Sequence, residues 1–253
     1  MKFLLYPQRD TQSRPMTKHK MIMEQAGHRE RAQEKFLQMA DAGQLPEYEL
    51  LELILMKSIP RIDVKGLAKD LINKFGSLAA VLSAEPEELT VFPHIKKSTI
   101  VLFKLIREAN ARLLVQQMKT KPVLECWEQV VDYCCLSLEQ ERIEHFMVLY
   151  LDKHFRLIRR EIPQTGTTDR VSIYPREILK QALILAAHAV VIVHNHPSGK
   201  TDPSPADLAM TAELYQALTA GHILFLDHLI IGEGRKVFSF AEHCLLKEKA
   251  GVR

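Results

Sequence analysis

The chain has 253 residues, enough for one large domain or two smaller ones, each with a core of its own. Apolar residues make up 47% and charged residues 26%, the mix of a soluble globular protein, which excludes a disordered or fibrous chain. The net charge of +3 is too mild to mark a nucleic-acid binder by itself. Cys126, Cys134, Cys135 and Cys244 form neither a C-x-x-C pair nor a disulfide scaffold, so reduced thiols and a cytoplasmic location are expected. Phe3-Leu4-Leu5-Tyr6 is too short for a signal-peptide core and is broken by Pro7. The longest apolar stretch, around residues 182–193, falls short of the ~20 residues of a membrane span, so no membrane partner is expected.

Residues 1–28 mix Lys, Arg, Gln, Ser and Pro without apolar periodicity and read as a mobile basic arm. From residue 29 to 118 the pattern is helical. Phe36, Met39 and Ala40 precede the run Leu50, Leu51, Leu53, Ile54 and Leu55. Asp63 is placed to N-cap a helix carrying Leu67, Leu71 and Ile72, which Gly76 closes. Ser77 opens a short helix, Pro86 with Glu87 and Glu88 another, and a longer one runs from about Lys97 through Leu113. Short helices in close succession describe a small all-helical domain. The polar, basic stretch ending at Pro122 marks its boundary.

Residues 123–253 alternate the two periodicities. A helix over about 127–138 precedes two strands, 144–151 and 155–162, joined as a hairpin at Asp152-Lys153-His154. A short strand near 171–173 leads to a helix from Pro175 to about Ala187, then a buried strand ending at Val193. A helix to about Ala220, strands at 223–232 and 236–240, and a closing helix from Ala241 complete the chain. The fold class is α/β (α+β), a mixed sheet packed by helices.

At the end of the buried strand stands His194-Asn195-His196-Pro197-Ser198-Gly199, continuing to Ser204-Pro205-Ala206-Asp207. Side chains at i and i+2 of extended backbone share a face, so His194 and His196 point at one spot. Pro197 holds His196 out of the α region. Ser204 as N-cap and Pro205 at the first helical position open a helix whose first turn carries Asp207. Two imidazole nitrogens and a carboxylate are three ligands of a tetrahedral Zn²⁺ site, with the fourth position left for water. The plain alternative is that Ser204 and Asp207 form only a capping box and that the histidines are structural. Two histidines at this spacing, beside a turn and a helix-start Asp, favour a metal, and the ligand set suits zinc. A hydrolase built on such a site also needs a base. Glu161 and Glu177 are the candidates, and the residues alone do not choose between them; the helix dipole would by itself account for Glu177.

H-x-H-P-S-G…S-x-x-D resembles the JAMM signature of MPN-type metallopeptidases, specifically that of the bacterial RadC family. Residues 146–152, Gly166-Thr167, Tyr174-Pro175-Arg176-Glu177 and 227–232 are similar to further pieces of that family, as are 49–53 and 74–77 upstream. The resemblance implies an MPN/JAB-type domain at 123–253 preceded by a helix-hairpin-helix-like domain at 29–118. It implies a zinc-dependent hydrolase acting on a peptide or isopeptide bond of a peptide or protein substrate. His194, His196 and Asp207 would be the ligands, Glu161 the base, and Ser204 a hydrogen-bond donor to the tetrahedral oxyanion. His228, on the border of an apolar strand, is expected to support the site rather than ligate. The glycines of the family's DNA-binding hairpin are missing from Val91-Phe92-Pro93-His94-Ile95-Lys96-Lys97, and Pro93 has no N–H. Only weak nucleic-acid binding, through Lys96, Lys97 and the basic arm, is therefore expected. A DNA-repair-associated protein and a non-catalytic metal-binding scaffold are the alternative functions.

Overall fold

The computed structural model describes residues 18–39, 45–162 and 174–246. Its contacts divide the chain into two units, between Leu102 and Phe103. The first holds α1 (Lys18–Gln38), α2 (Glu47–Ser58), α3 (Lys65–Phe75), α4 (Leu78–Ser83), α5 (Pro86–Leu89) and the start of α6 (Lys97–Thr120). Helix α1 begins at Lys18, so residues 18–28, expected as part of a mobile arm, are helical. Lys, Met, Glu, Gln and Arg are good helix formers even where no apolar stripe announces them. The rest of the expected arm lies outside the described residues.

Side chains of α1 tie it to α2, among them Arg29, His28 and Lys35, which donates to Glu49 at 2.9 Å. The Arg29 guanidinium donates to the carbonyls of Met56 and Ile59, at 3.0 and 2.7 Å, and so satisfies groups that the end of α2 leaves open. His28 lies 2.7 Å from Glu52, a buried carboxylate. Helix α3 starts one residue later than its expected cap: Val64 is the N-cap, and Asp63 accepts from the Lys65 amide at 2.9 Å. Gly76 ends α3 at φ +88, and the Ser77 hydroxyl accepts from the Ala80 amide to start α4.

The second unit contains a five-stranded sheet in the order β2-β1-β3-β4-β5. Its strands are β1 (Phe146–Leu151), β2 (Leu157–Glu161), β3 (Ala189–Asn195), β4 (Leu224–Ile231) and β5 (Val237–Ser239). β3 and β4 run parallel, and the other neighbours are antiparallel, so the sheet is mixed as expected. β3 is central and buried along its whole length, which is why it reads as a continuous apolar run. One face carries Met147, Leu149, Val191, Val193 and Leu229 under α7 (Trp127–Leu138) and the second half of α6. The other carries Phe146, Val148 and Ile192 under α8 (Pro175–Ile184) and α9 (Pro205–Ala220). The division between units thus falls inside α6 rather than in the polar stretch before Pro122. That helix has no breaker, and Met118 with Leu114 and Val115 belongs to the core of the sheet.

The closing helix expected from Ala241 does not form over the described residues 241–246, which are a series of turns. Asp227 captures the Ala241 amide, Ser239 that of Glu242, and Cys244 sits at φ +58. These bonds turn the backbone away from a helix. The expected strand near 171–173 and Gly166-Thr167 lie outside the described residues. All four cysteines are free, and burial pushes the Cys135 thiol up to about 12 and that of Cys134 up as well. Among the described residues no helix is long and apolar enough to cross a membrane.

Candidate metal centre

The end of β3 and the start of α9 meet at three side chains. His194 and His196 leave the strand on one face, and Asp207 enters from the first turn of α9. The two Nε2 atoms are 3.0 Å apart, and Asp207 Oδ1 and Oδ2 lie 3.3 Å from His194 Nε2 and His196 Nε2 respectively. One ligand-capable atom from each residue falls within 4.8 Å of the others. His194 and Asp207 are buried, and His196 is partly open to solvent.

Local structure holds each of them. Ser204 and Asp207 form the reciprocal capping box: Asp207 Oδ2 accepts from the Ser204 amide at 2.7 Å, and Ser204 Oγ accepts from the Asp207 amide at 3.2 Å. The capping carboxylate and the candidate ligand are one residue, so capping and metal binding do not exclude each other. With its lone pair engaged, the Ser204 hydroxyl keeps its proton free to donate.

His196 Nδ1 faces the Lys200 carbonyl at 2.9 Å. A carbonyl only accepts, so Nδ1 carries a proton, and in the neutral ring Nε2 presents a lone pair. That lone pair, the His194 Nε2 atom and a carboxylate are crowded within 3.0–3.3 Å of one another. Such a cluster of electron-rich atoms calls for positive charge among them, a role open to a proton or to a divalent cation. The residues fit a metal ion.

The loop carrying His196 is clamped from β4. The His196 amide donates to Ile231 O at 2.9 Å, and the Glu233 amide donates to Gly199 O at 3.1 Å. Gly199 itself takes φ +75, which favours glycine. Gly232 has no room for a side chain: a Cβ there would stand 2.5 Å from Gly199 O and 2.7 Å from Thr201 Cγ2. Gly232→Ala should push the loop outward, lowering both zinc affinity and stability, the latter by about 1–3 kcal/mol as for other overpacked sites. Urea denaturation with a zinc competition titration reads both.

Asn195, between the histidines, faces the other way. Its Oδ1 accepts from the His145 amide at 2.8 Å, and its Nδ2 donates to Glu141 O and Ile143 O at 3.2 and 3.1 Å. It pins the segment before β1 against the strand that bears the site. Sequence reasoning passed over it, although a polar residue closing an apolar strand was the signal. Asp227 accepts from the His228 amide, the Ala241 amide and the Ser239 hydroxyl; burial still pushes its carboxyl up. His228 is buried beside His194, with Nε2 2.8 Å from His194 Nδ1, and stands outside the ligand triad.

The two candidate bases lie outside the cluster too. Glu161 pairs with Val148, which pairs with Ile192, so its side chain belongs to the face that carries His194. Two strand spacings and two residues separate its Cα from that of His194, roughly 12 Å. Its carboxylate lies 3.6 Å from Arg159. Glu177 is exposed on the first turn of α8, 3.5 Å from Arg176 and 3.6 Å from Lys180.

Comparison with known proteins adds two findings. The model of a family described as "RadC-like JAB domain" matches residues 124–245. A protein named "UPF0758 protein" from Rhodobacter capsulatus is 42% identical over 212 residues, covering 84% of this chain and 99% of that protein.

Proposed function

Since the chain belongs to the RadC-like JAB domain family, which fits JAMM-type metal-dependent hydrolases, we propose that it is a zinc-dependent hydrolase of peptide or isopeptide bonds. The observation that carries the reading is the convergence of His194 Nε2, His196 Nε2 and an Asp207 oxygen, three donors that suit zinc and leave a coordination position open. When bound there, zinc would polarise the substrate carbonyl and lower the pKa of water toward about 7. Glu161 takes the proton from the attacking water and hands it to the leaving amine. The Ser204 hydroxyl, whose oxygen already accepts from the Asp207 amide, donates to the oxyanion that develops at the carbonyl. Glu177 is committed to its neighbours on α8 and plays no part.

The test is a screen of peptide, isopeptide and nuclease substrates on one preparation of known metal content. Amide hydrolysis that chelation removes and zinc restores supports the reading. Metal-dependent cleavage of DNA alone would move the activity to DNA processing, and bound zinc with no turnover would leave a scaffold.

Nucleic acid is a weak partner in this reading. In the turn after α5 the Phe92 and Ile95 amides bond back to Leu89 O and Phe92 O, and Pro93 has none to offer. His94 takes a φ of +69, the left-handed region that favours glycine. Lys96 and Lys97 remain exposed. Binding to duplex DNA should be sequence-independent and fall steeply with added salt. Tight binding that survives high salt and deletion of residues 1–28 would contradict this.

A further inference from the structure

One turn beyond Asp207 on α9, Thr211 is buried, and its hydroxyl lies 2.6 Å from the Asp207 carbonyl oxygen. A carbonyl only accepts, so the single hydroxyl proton of Thr211 is spent there. Its oxygen also lies 2.7 Å from His228 Nδ1 and must accept, which puts the His228 proton on Nδ1. His228 is fully buried, packed between the rings of His194 and Phe240. In the neutral ring, the form present at alkaline pH, the Nδ1 proton is its one proton, and His228 Nε2 is bare. That bare nitrogen stands 2.8 Å from His194 Nδ1, which must therefore donate. The remaining lone pair of His194, on Nε2, points at His196 and Asp207.

With the rings neutral, the direction of every bond in this chain follows from its first acceptor. We propose that Thr211 and His228 are positioning residues that lock His194 in its metal-ready tautomer, with the main-chain carbonyl of Asp207 as the fixed end. The chain is thus closed on a ligand residue: Asp207 offers its carboxylate to the metal and its carbonyl to the tautomer lock. Stacking holds the rings in place. His228 lies on Phe240 with centroids 4.5 Å apart and planes at 15°, and His194 on Phe146 at 4.7 Å and 19°. Without Thr211 as acceptor, His228 would do better to carry its proton on Nε2. It would then donate to His194 Nδ1 and drive the His194 proton onto the ligating nitrogen.

The purpose of the lock rests on the metal reading, but its existence does not, and the test separates the two. Wild type, Thr211→Ser and Thr211→Val are compared by nitrogen NMR of the histidine rings, in metal-free protein at alkaline pH, and by zinc competition titration. Val matches Thr in shape and removes the acceptor; Ser keeps it. The expected result is His228 protonated on Nδ1 in wild type and Thr211→Ser, and displaced toward Nε2 in Thr211→Val. Zinc affinity should fall about 10–100-fold in Thr211→Val, the usual cost of losing an outer-shell partner, and hold in Thr211→Ser. Wild-type His228 protonated on Nε2 would overturn the proposal, as would equal zinc affinity in all three proteins. An equal loss in Ser and Val would overturn it too, since that is a packing effect. A wild type that binds no zinc would sink the metal reading, and the ring tautomers alone would then decide the lock.

Discussion

Asp207→Ala is expected to abolish stoichiometric zinc binding, lowering affinity by more than ~100-fold, because outer-shell partners alone are worth ~10–100-fold. It removes one of the three side chains that the described residues group as a candidate metal site. It also opens the capping box, leaving the Ser204 amide without its 2.7 Å acceptor, which should cost ~0.5–2 kcal/mol of stability. Asp207→Asn separates the two effects. The Asn oxygen can keep the Ser204 amide, but its NH₂ then faces the histidines and offers no lone pair. Both variants should therefore lose zinc, while only Asp207→Ala loses the cap. Zinc retained at one per chain in either would place the metal elsewhere.

Glu161→Gln should leave zinc binding as in the wild type and lower amide hydrolysis by ~10²–10⁴-fold, the usual worth of a positioned general base. Glutamine keeps the size and still hydrogen-bonds a water, but it accepts no proton. Glu161 belongs to the His194 face of the sheet, two strands away, and is not part of the His194, His196 and Asp207 cluster. Glu177→Gln should change little, because that carboxylate is exposed and already shared between Arg176 and Lys180. Full activity in Glu161→Gln with loss in Glu177→Gln would transfer the base to Glu177.

The convergence of His194, His196 and Asp207 was legible in the sequence because each depends on local geometry: a period of two in a strand, a proline after it, and a capped helix start. The strands of the sheet were legible for the same reason. What escaped detection was set by contacts distant in sequence or by competing local bonds. Helix α1 reaches back to Lys18 without an apolar stripe, and its anchor is Arg29 reaching the carbonyls at the end of α2. The segment after Phe240 is turned by Asp227 and Ser239, which no pattern within that segment announces. Gly232 looked like an ordinary strand end, yet it is the point where the metal loop rests on β4. His228 was marked as a supporting residue. Its link to Thr211, 17 positions earlier in the chain, needed the packing of α9 on β4.

Zinc titrated back into chelator-treated wild type, with bound metal and amide turnover followed together on the best substrate of the screen, tests metal-dependent hydrolysis most directly. Turnover should rise in proportion to bound zinc and saturate at one ion per chain. Turnover that is indifferent to zinc, or one bound ion with no amide cleaved, would contradict it.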